Sequence, residues 1–353
     1  MVNSRDCITF ELDKIMKKKL FIGIDVSKSW IDVTMFHEVD VNKTDYQQFD
    51  NSVEGFKAMI KWIKLLHKTT KSEMLFCFEH TGIYSFSLCE YLTDNDYFAW
   101  VENPLQIKRS LGIKRAKNDK IDSFEIAKYA WRFFDKAKAY TMPSKHINEL
   151  QNLEALRKRL MKSKLAFSVA ANELKHSETN DYIKEKSNLL VAELDKQINE
   201  IEKKMQTLIK ADEQINEQYK LCLSVPGVGP QTAIFLLIYT RCFTSFENIR
   251  QFACYCGLAP FEQTSGSSIK KRSGVSHLAN KKLKSLLHLG ALNLLRYNKE
   301  TQLFYERKRK EGKSHNSIMN VIKYKTISRV FAVIKRGENF MDPVTFEVYK
   351  RAA

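Results

Sequence analysis

Apolar and polar positions change their period twice along the chain, and the changes mark three segments. In the first, from about residue 19 to 140, strand-like and helix-like stretches alternate. Residues 20–26 are a near-continuous apolar run and read as a buried strand, and residues 31–36 alternate and read as its hairpin partner. Residues 47–51 suggest a third strand. Residues 53–67 carry apolar side chains at helical spacing. Residues 74–78 form another apolar strand, ending at Glu79. Residues 84–92 are helical and 97–101 a strand again. Residues 122–134 set Phe124, Ile126, Ala127, Ala130 and Trp131 on one helical spacing.

A hairpin first, then strands separated by helices, is the order of an α/β ribonuclease-H-like domain. The second segment, residues 144–219, has no glycine, and Pro143 stands at its edge. Val191, Leu194, Ile198, Ile201, Met205 and Leu208 step by heptad spacing, with Lys and Glu on the flanks. Residues 176–187 are polar and suit the turn of a long helical hairpin or coiled coil. Such a seam suggests self-association, because an exposed apolar stripe needs a partner; a plain spacer is the other reading. The third segment opens with Val225-Pro226-Gly227-Val228-Gly229-Pro230, a turn entering a helix. It is similar to a helix-hairpin-helix motif, in which Gly227 and Gly229 would let backbone N–H groups approach a phosphate. An ordinary Gly-Pro turn has the same look.

Charge changes the picture of this third segment. The chain has a net charge of +17. Residues 270–336 hold 18 Lys and Arg against three Glu, so most of the excess sits in the last quarter. Clustered positive charge suits a polyanion, since each neutralised phosphate releases counterions. Lys270, Lys271, Arg272, Lys281, Lys282 and Lys284 are the candidate contacts. The seven cysteines form no Cys-x-x-Cys pair and read as buried reduced thiols. No apolar run has the length of a membrane span, and residues 1–19 lack a signal-peptide core, so a cytoplasmic protein is expected. Met16 before three lysines reads as an alternative start, leaving residues 1–15 as an extension.

Asp25 lies inside an apolar strand, where a lone charge is costly unless paired or metal-bound. Glu79 ends another strand. Asp119 and Asp122 are three apart at a helix start, so both can face one side. Four converging carboxylates would repel one another, and divalent cations such as magnesium would remove that repulsion. Taken singly, each acid reads sooner as a surface or helix-capping residue, which is how Asp32, Glu90, Glu102 and Glu125 are read.

These residues fall into ordered motifs. Gly23-Ile24-Asp25-Val26-Ser27-Lys28, Glu79-His80-Thr81-Gly82-Ile83-Tyr84 and Lys117-Asn118-Asp119-Lys120-Ile121-Asp122 resemble the acidic motifs of the DEDD transposases of the IS110 family, which includes Piv-type DNA invertases. The 225–233 turn and Cys256-Gly257-Leu258-Ala259-Pro260, followed by Thr264-Ser265-Gly266, resemble its C-terminal half. One motif departs: Ala279 stands where glycine is usual, and lysines stand where arginine is common.

The resemblance implies a RuvC-like catalytic domain over residues 19–143 behind an extension (1–18). A coiled-coil hairpin (144–219) and a mainly helical DNA-binding transposase domain (220–353) would follow. It implies that Asp25, Glu79, Asp119 and Asp122 bind Mg2+ and that Ser265 attacks the scissile phosphate. It further implies donor and target DNA, an element-encoded guide RNA bridging them, and a homo-oligomer assembling from dimer to synaptic tetramer. A hydrolytic junction nuclease using water, or a nucleic-acid-binding protein with a decayed site, are the competing readings. Four intact acids speak against decay.

Overall fold

In a computed structural model, which describes residues 18–79, 82–110, 118–174, 177–265, 269–275 and 278–341, five strands of the N-terminal half form one mixed sheet. Strands β1 (Leu20–Val26), β2 (Trp30–His37) and β3 (Asp40–Asp50) pair antiparallel; β4 (Met74–Glu79) and β5 (Ala99–Glu102) add in parallel on the other side of β1. The order is β3-β2-β1-β4-β5. This is a mixed α/β sheet domain of the expected kind. The third strand is longer than expected. Its sequence is polar because β3 is an edge strand, and Phe49 is its one buried side chain among the described ones.

Period-two alternation sends β1 to two cores. Leu20, Ile22, Ile24 and Val26 face α1 (Val53–Leu66) and α2 (Ile83–Asp94). Phe21 packs on the other face with Phe36, Cys77, Trp100 and the apolar side of α4 (Asp119–Arg132), joined by Ile107 of α3 (Pro104–Ser110). Gly23 is where α4 touches the sheet. A Cβ on Gly23 would lie 2.2 Å from both the Ala127 nitrogen and the Ser123 oxygen. Beside it, the Thr34 and Ser123 hydroxyls share a 2.7 Å hydrogen bond. Lys18, assigned by sequence to the extension, is buried and donates to the Met74 carbonyl.

The chain divides into two compact units, residues 1–142 and 143–353. The second begins with α5 (Lys145–Glu173) and α6 (Glu178–Ala211). Ion pairs Glu149–Lys204, Arg157–Glu202 and Lys164–Asp195 run in opposite senses along the two helices, so the pair is antiparallel. Most of residues 176–187, expected as a turn, is the first part of α6. The base of the hairpin shares a core with α7 (Glu213–Ser224), α8 (Pro230–Thr240), α9 (Ile249–Tyr255), α10 (Lys281–Tyr297) and α12 (His315–Arg336). Ile198, Ile201, Met205 and Leu208 of the heptad series are buried, so within this unit the seam packs inward. The apolar side chains left exposed include Leu165, Leu189 and Leu190.

Helix α8 is apolar nearly all round and correspondingly buried. Strands β6 (Pro260–Ser265) and β7 (Ile269–Val275) pair antiparallel, in a stretch to which the sequence pattern assigned no element; α11 (Lys299–Lys310) completes the unit. Four of the six described cysteines are buried. Among the described residues no helix is long and apolar enough to cross a membrane.

Two outcomes follow from this packing. Gly23→Ala forces backbone against backbone and is expected to cost about 3 kcal/mol in urea unfolding; an unchanged midpoint would mean that α4 is not seated on β1. Ile201→Ala and Met205→Ala should each destabilise the second unit by ~2–4 kcal/mol. Leu165→Ala and Leu189→Ala should stay within ~0.5 kcal/mol in dilute protein. The reverse ranking would turn the seam outward.

Candidate functional site

Asp25 is two residues beyond Gly23 on the same face of β1, and Asp119 lies one helical turn before Ser123 on α4. The close contact at Gly23 therefore brings the first turn of α4 over Asp25. Sheet register supplies the rest. Ile24 pairs with Phe78, which leaves Glu79 at the next rung beside Asp25. Asn118, not either aspartate, caps α4: its Oδ1 accepts from the Ile121 N–H at 2.8 Å. The capping role open to Asp119 and Asp122 is thus already filled.

The four carboxylates act on one another. The Asp25 carboxyl is pushed up to about 6, first by burial, then by the charges of Asp122, Asp119, Glu79 and Asp32 in that order. Asp25 and Asp122 are half-buried, whereas Asp119 is exposed. Carboxylate oxygens alone are the donor set that a hard divalent cation takes. Among the described residues no three His, Cys, Asp or Glu side chains already stand as a closed metal cage. The acids are gathered, but not clamped.

Asp32 departs from its expected surface role. It is only 3% exposed and sits directly opposite Asp25 across the hairpin. Its Oδ1 accepts from the Tyr46 hydroxyl at 2.6 Å and from Gln48 Nε2 at 3.2 Å. That hydrogen bond, with burial and the Asp32 charge, pushes the Tyr46 phenol up to about 12. The signal was present in the sequence: six residues separate the two aspartates on strands of one hairpin, and register alone makes them neighbours. Glu102 is occupied otherwise, accepting from the Asn103 N–H at 2.7 Å and the Tyr129 hydroxyl at 3.1 Å.

The second unit carries the remaining candidates. Ser265 is the last residue of β6, paired with Ile269; Lys270, Lys271 and Arg272 lie in β7. Gly266, His80, Thr81 and Lys117 lie outside the described residues. Gly227 has φ +86° and abuts α10: a Cβ there would meet Leu294 at 2.7 Å, and a Cβ on Gly290 would lie 2.1 Å from the Gly227 oxygen. Gly229, the N-cap of α8, has nothing within 4 Å of its Cβ position. Of the two glycines, the first seats the turn on a neighbouring helix and the second leaves the helix start open. Lys281 and Lys282 are exposed in the first turn of α10, and Lys284 is half-buried. Three lysines at the positive end of a helix dipole concentrate positive potential there.

The raised Asp25 carboxyl has a definite pH signature. Its unfolded value is about 3.9, so the fold favours the protonated form. Its charge therefore destabilises the metal-free protein above pH 6, and the penalty disappears as the pH falls toward 4. Asp25→Asn should melt higher than the parent at pH 7.5 without metal, with the gain fading at pH 4. A lower melting temperature at pH 7.5 would show that Asp25 is not under repulsion.

With this geometry in place, comparison with known proteins is informative. Residues 22–174 match a family model described as a transposase, the DEDD transposase of IS110, and residues 219–306 match the model of the transposase IS116/IS110/IS902 family. The pilin gene-inverting proteins of Moraxella bovis and Moraxella lacunata are each 28% identical to the chain over 328 residues, spanning 91% of it and 98% of the relative. An insertion element IS110 protein of Streptomyces coelicolor is 33% identical over 114 residues, 32% of this chain and 28% of its own. The first match contains all four acids, and the second contains Ser265, the glycine turn and the lysines of α10. The chain belongs to the IS110/IS116/IS902 family of transposases and is a DNA transposase/recombinase.

Proposed function

We propose that this transposase cleaves and rejoins DNA through a covalent serine link, with Asp25, Glu79, Asp119 and Asp122 holding Mg2+. The observation that carries the reading is the mutual repulsion gathered at Asp25, where three further family acids each raise its carboxyl. A bound divalent cation would offset that repulsion and stabilise the charge that develops on phosphate oxygens. Asn118 keeps α4 capped while the two aspartates of its first turn remain available as ligands. In the other unit, the Ser265 hydroxyl attacks the scissile phosphorus. The Oγ–P bond forms, the P–O bond to the leaving sugar oxygen breaks, and the serine proton is released as the leaving oxygen takes one up. The phosphoserine ester keeps the energy of the broken bond, so a sugar hydroxyl from another strand can reverse the step without ATP. Lys270, Lys271, Arg272, Lys281, Lys282, Lys284 and the open turn at Gly229 hold the phosphate backbone.

The same reading includes an element-encoded guide RNA that bridges donor and target DNA. It also includes a dimer that assembles to a synaptic tetramer in the cytoplasm. The positive charge of residues 270–336 supports the first, and the exposed Leu165, Leu189 and Leu190 support a surface for a second copy. One observation favours DNA inversion over insertion as the outcome: the relatives matched over 98% of their length are named for inverting a pilin gene.

The test is a covalent adduct. Protein, Mg2+, guide RNA and labelled DNA should give a denaturant-resistant complex, with the phosphate on Ser265 by mass spectrometry. Ser265→Ala should lose adduct and recombination by at least ~100-fold while keeping DNA binding, because one hydroxyl adds little to a largely electrostatic interface. Ser267→Ala and Ser268→Ala should remain active. Asp25→Ala, Glu79→Ala, Asp119→Ala and Asp122→Ala should each fail to form the adduct. Free DNA ends with no adduct, and an active Ser265→Ala, would make the protein a hydrolytic nuclease instead.

A further inference from the structure

Helices α10 and α12 pack against each other, and one face of their contact is cationic. Lys323 of α12 is only 5% exposed. Among the described residues no ion pair joins it to a carboxylate, and its Nζ is not one of the buried polar atoms sealed from water, so the packed stem carries an ammonium that still meets solvent. Two other buried charges have partners: Lys18 donates to Met74, and Asp32 accepts from Tyr46 and Gln48; Glu154, buried as well, keeps one carboxylate oxygen unpartnered among the described residues. Around Lys323 the neighbours carry the same sign. Lys284 reaches it from α10, and His288, one turn further along α10, senses both Lys323 and His315. His315 opens α12 two turns before Lys323 and is held by the Tyr305 hydroxyl at 2.8 Å. Burial and Lys284 together push the Lys323 ammonium down to about 8, and burial and Lys323 lower the His288 imidazole. A buried cation facing further cations is unfavourable until an anion joins it.

The position of the cluster limits what that anion is. Lys284 Nζ lies 3.7 Å from the Cβ position of Gly257, three residues before the strand that ends at Ser265. We propose that Lys323, with Lys284 and His288, forms a phosphate-binding point for the DNA backbone at the foot of the β6–β7 hairpin. This rests on the reading that the second unit handles DNA, and it adds to that reading a contact whose side chain is hidden from any survey of exposed charge. The ligand supplies the missing counter-charge, and the stem of Lys323 is already ordered by packing.

Full-length protein and a short DNA duplex, read by fluorescence anisotropy across a salt series, test the proposal. Lys323→Met keeps the length of the stem and removes the charge. It should raise the melting temperature of the free protein by relieving repulsion, and should flatten the slope of log affinity against log salt by ~0.9. From equal affinity at ~1 M salt, that slope change amounts to about eightfold weaker binding at ~0.1 M. Lys323→Arg should keep the parental slope, which guards against a fault of folding. An unchanged slope in Lys323→Met, beside a parent that binds duplex steeply, overturns the site alone. A loss seen with single-stranded RNA and not with the duplex overturns it for DNA. A parent that does not bind duplex at all overturns the site and the DNA reading of this unit together, whereas Ser265 adduct formation is scored separately.

Discussion

The seating of one helix backbone on one strand backbone is the constraint from which the acidic site follows. At Gly23 the sheet offers no side chain, and Ser123 and Ala127 of α4 come within 2.2 Å of where a Cβ would be. Any larger residue would lift the helix, and with it the two aspartates of its first turn. The Thr34–Ser123 hydrogen bond fixes the rotation of the helix at the same place. The aromatic packing of Phe21, Phe36, Phe124 and Trp131 then holds the helix down along its length. The gathering of acids in this domain is thus a by-product of core packing a few ångströms away.

Most of the first domain was legible because its signals are local. Apolar runs mark β1 and β4, alternation marks β2, and the Asp119–Asp122 spacing marks the start of α4. What escaped was set by distant neighbours. β3 is polar because its edge position leaves little to bury. Asp32 looked like a surface acid because nothing in its own strand shows that Tyr46 and Gln48 cover it. The β6–β7 hairpin carries few apolar residues and so gave no periodic signal. The heptad series suggested a seam seeking a second copy, but periodicity does not say whose helix fills it. Here α5 does, in the same chain. Lys323 was invisible for a related reason: a lysine in a basic stretch reads as one more exposed charge, and only the crossing of α10 and α12 buries it.

The two units divide the electrostatic labour. The first concentrates negative charge at one end of a sheet, where burial first and then the neighbouring acids push the Asp25 carboxyl up to about 6. The second concentrates positive charge on α10, α11 and α12, and packs the stem of one of those lysines, Lys323, into the protein. Each arrangement gathers like charge, of the sign that the proposed ligands would relieve: cations for the acids, phosphates for the lysines. Binding energy is in this sense stored in the free protein as repulsion.

Asn118 has a practical side. Because the helix cap is a neutral amide rather than one of the acids, α4 does not depend on Asp119 or Asp122 to begin. Replacing both acids by their amides removes charge from a turn whose hydrogen bonds are already met. Such a protein keeps its surface and its basic helices and, on the proposed function, loses the ability to cut. It is therefore the form in which an uncleaved assembly of protein and nucleic acid can be held long enough to be imaged.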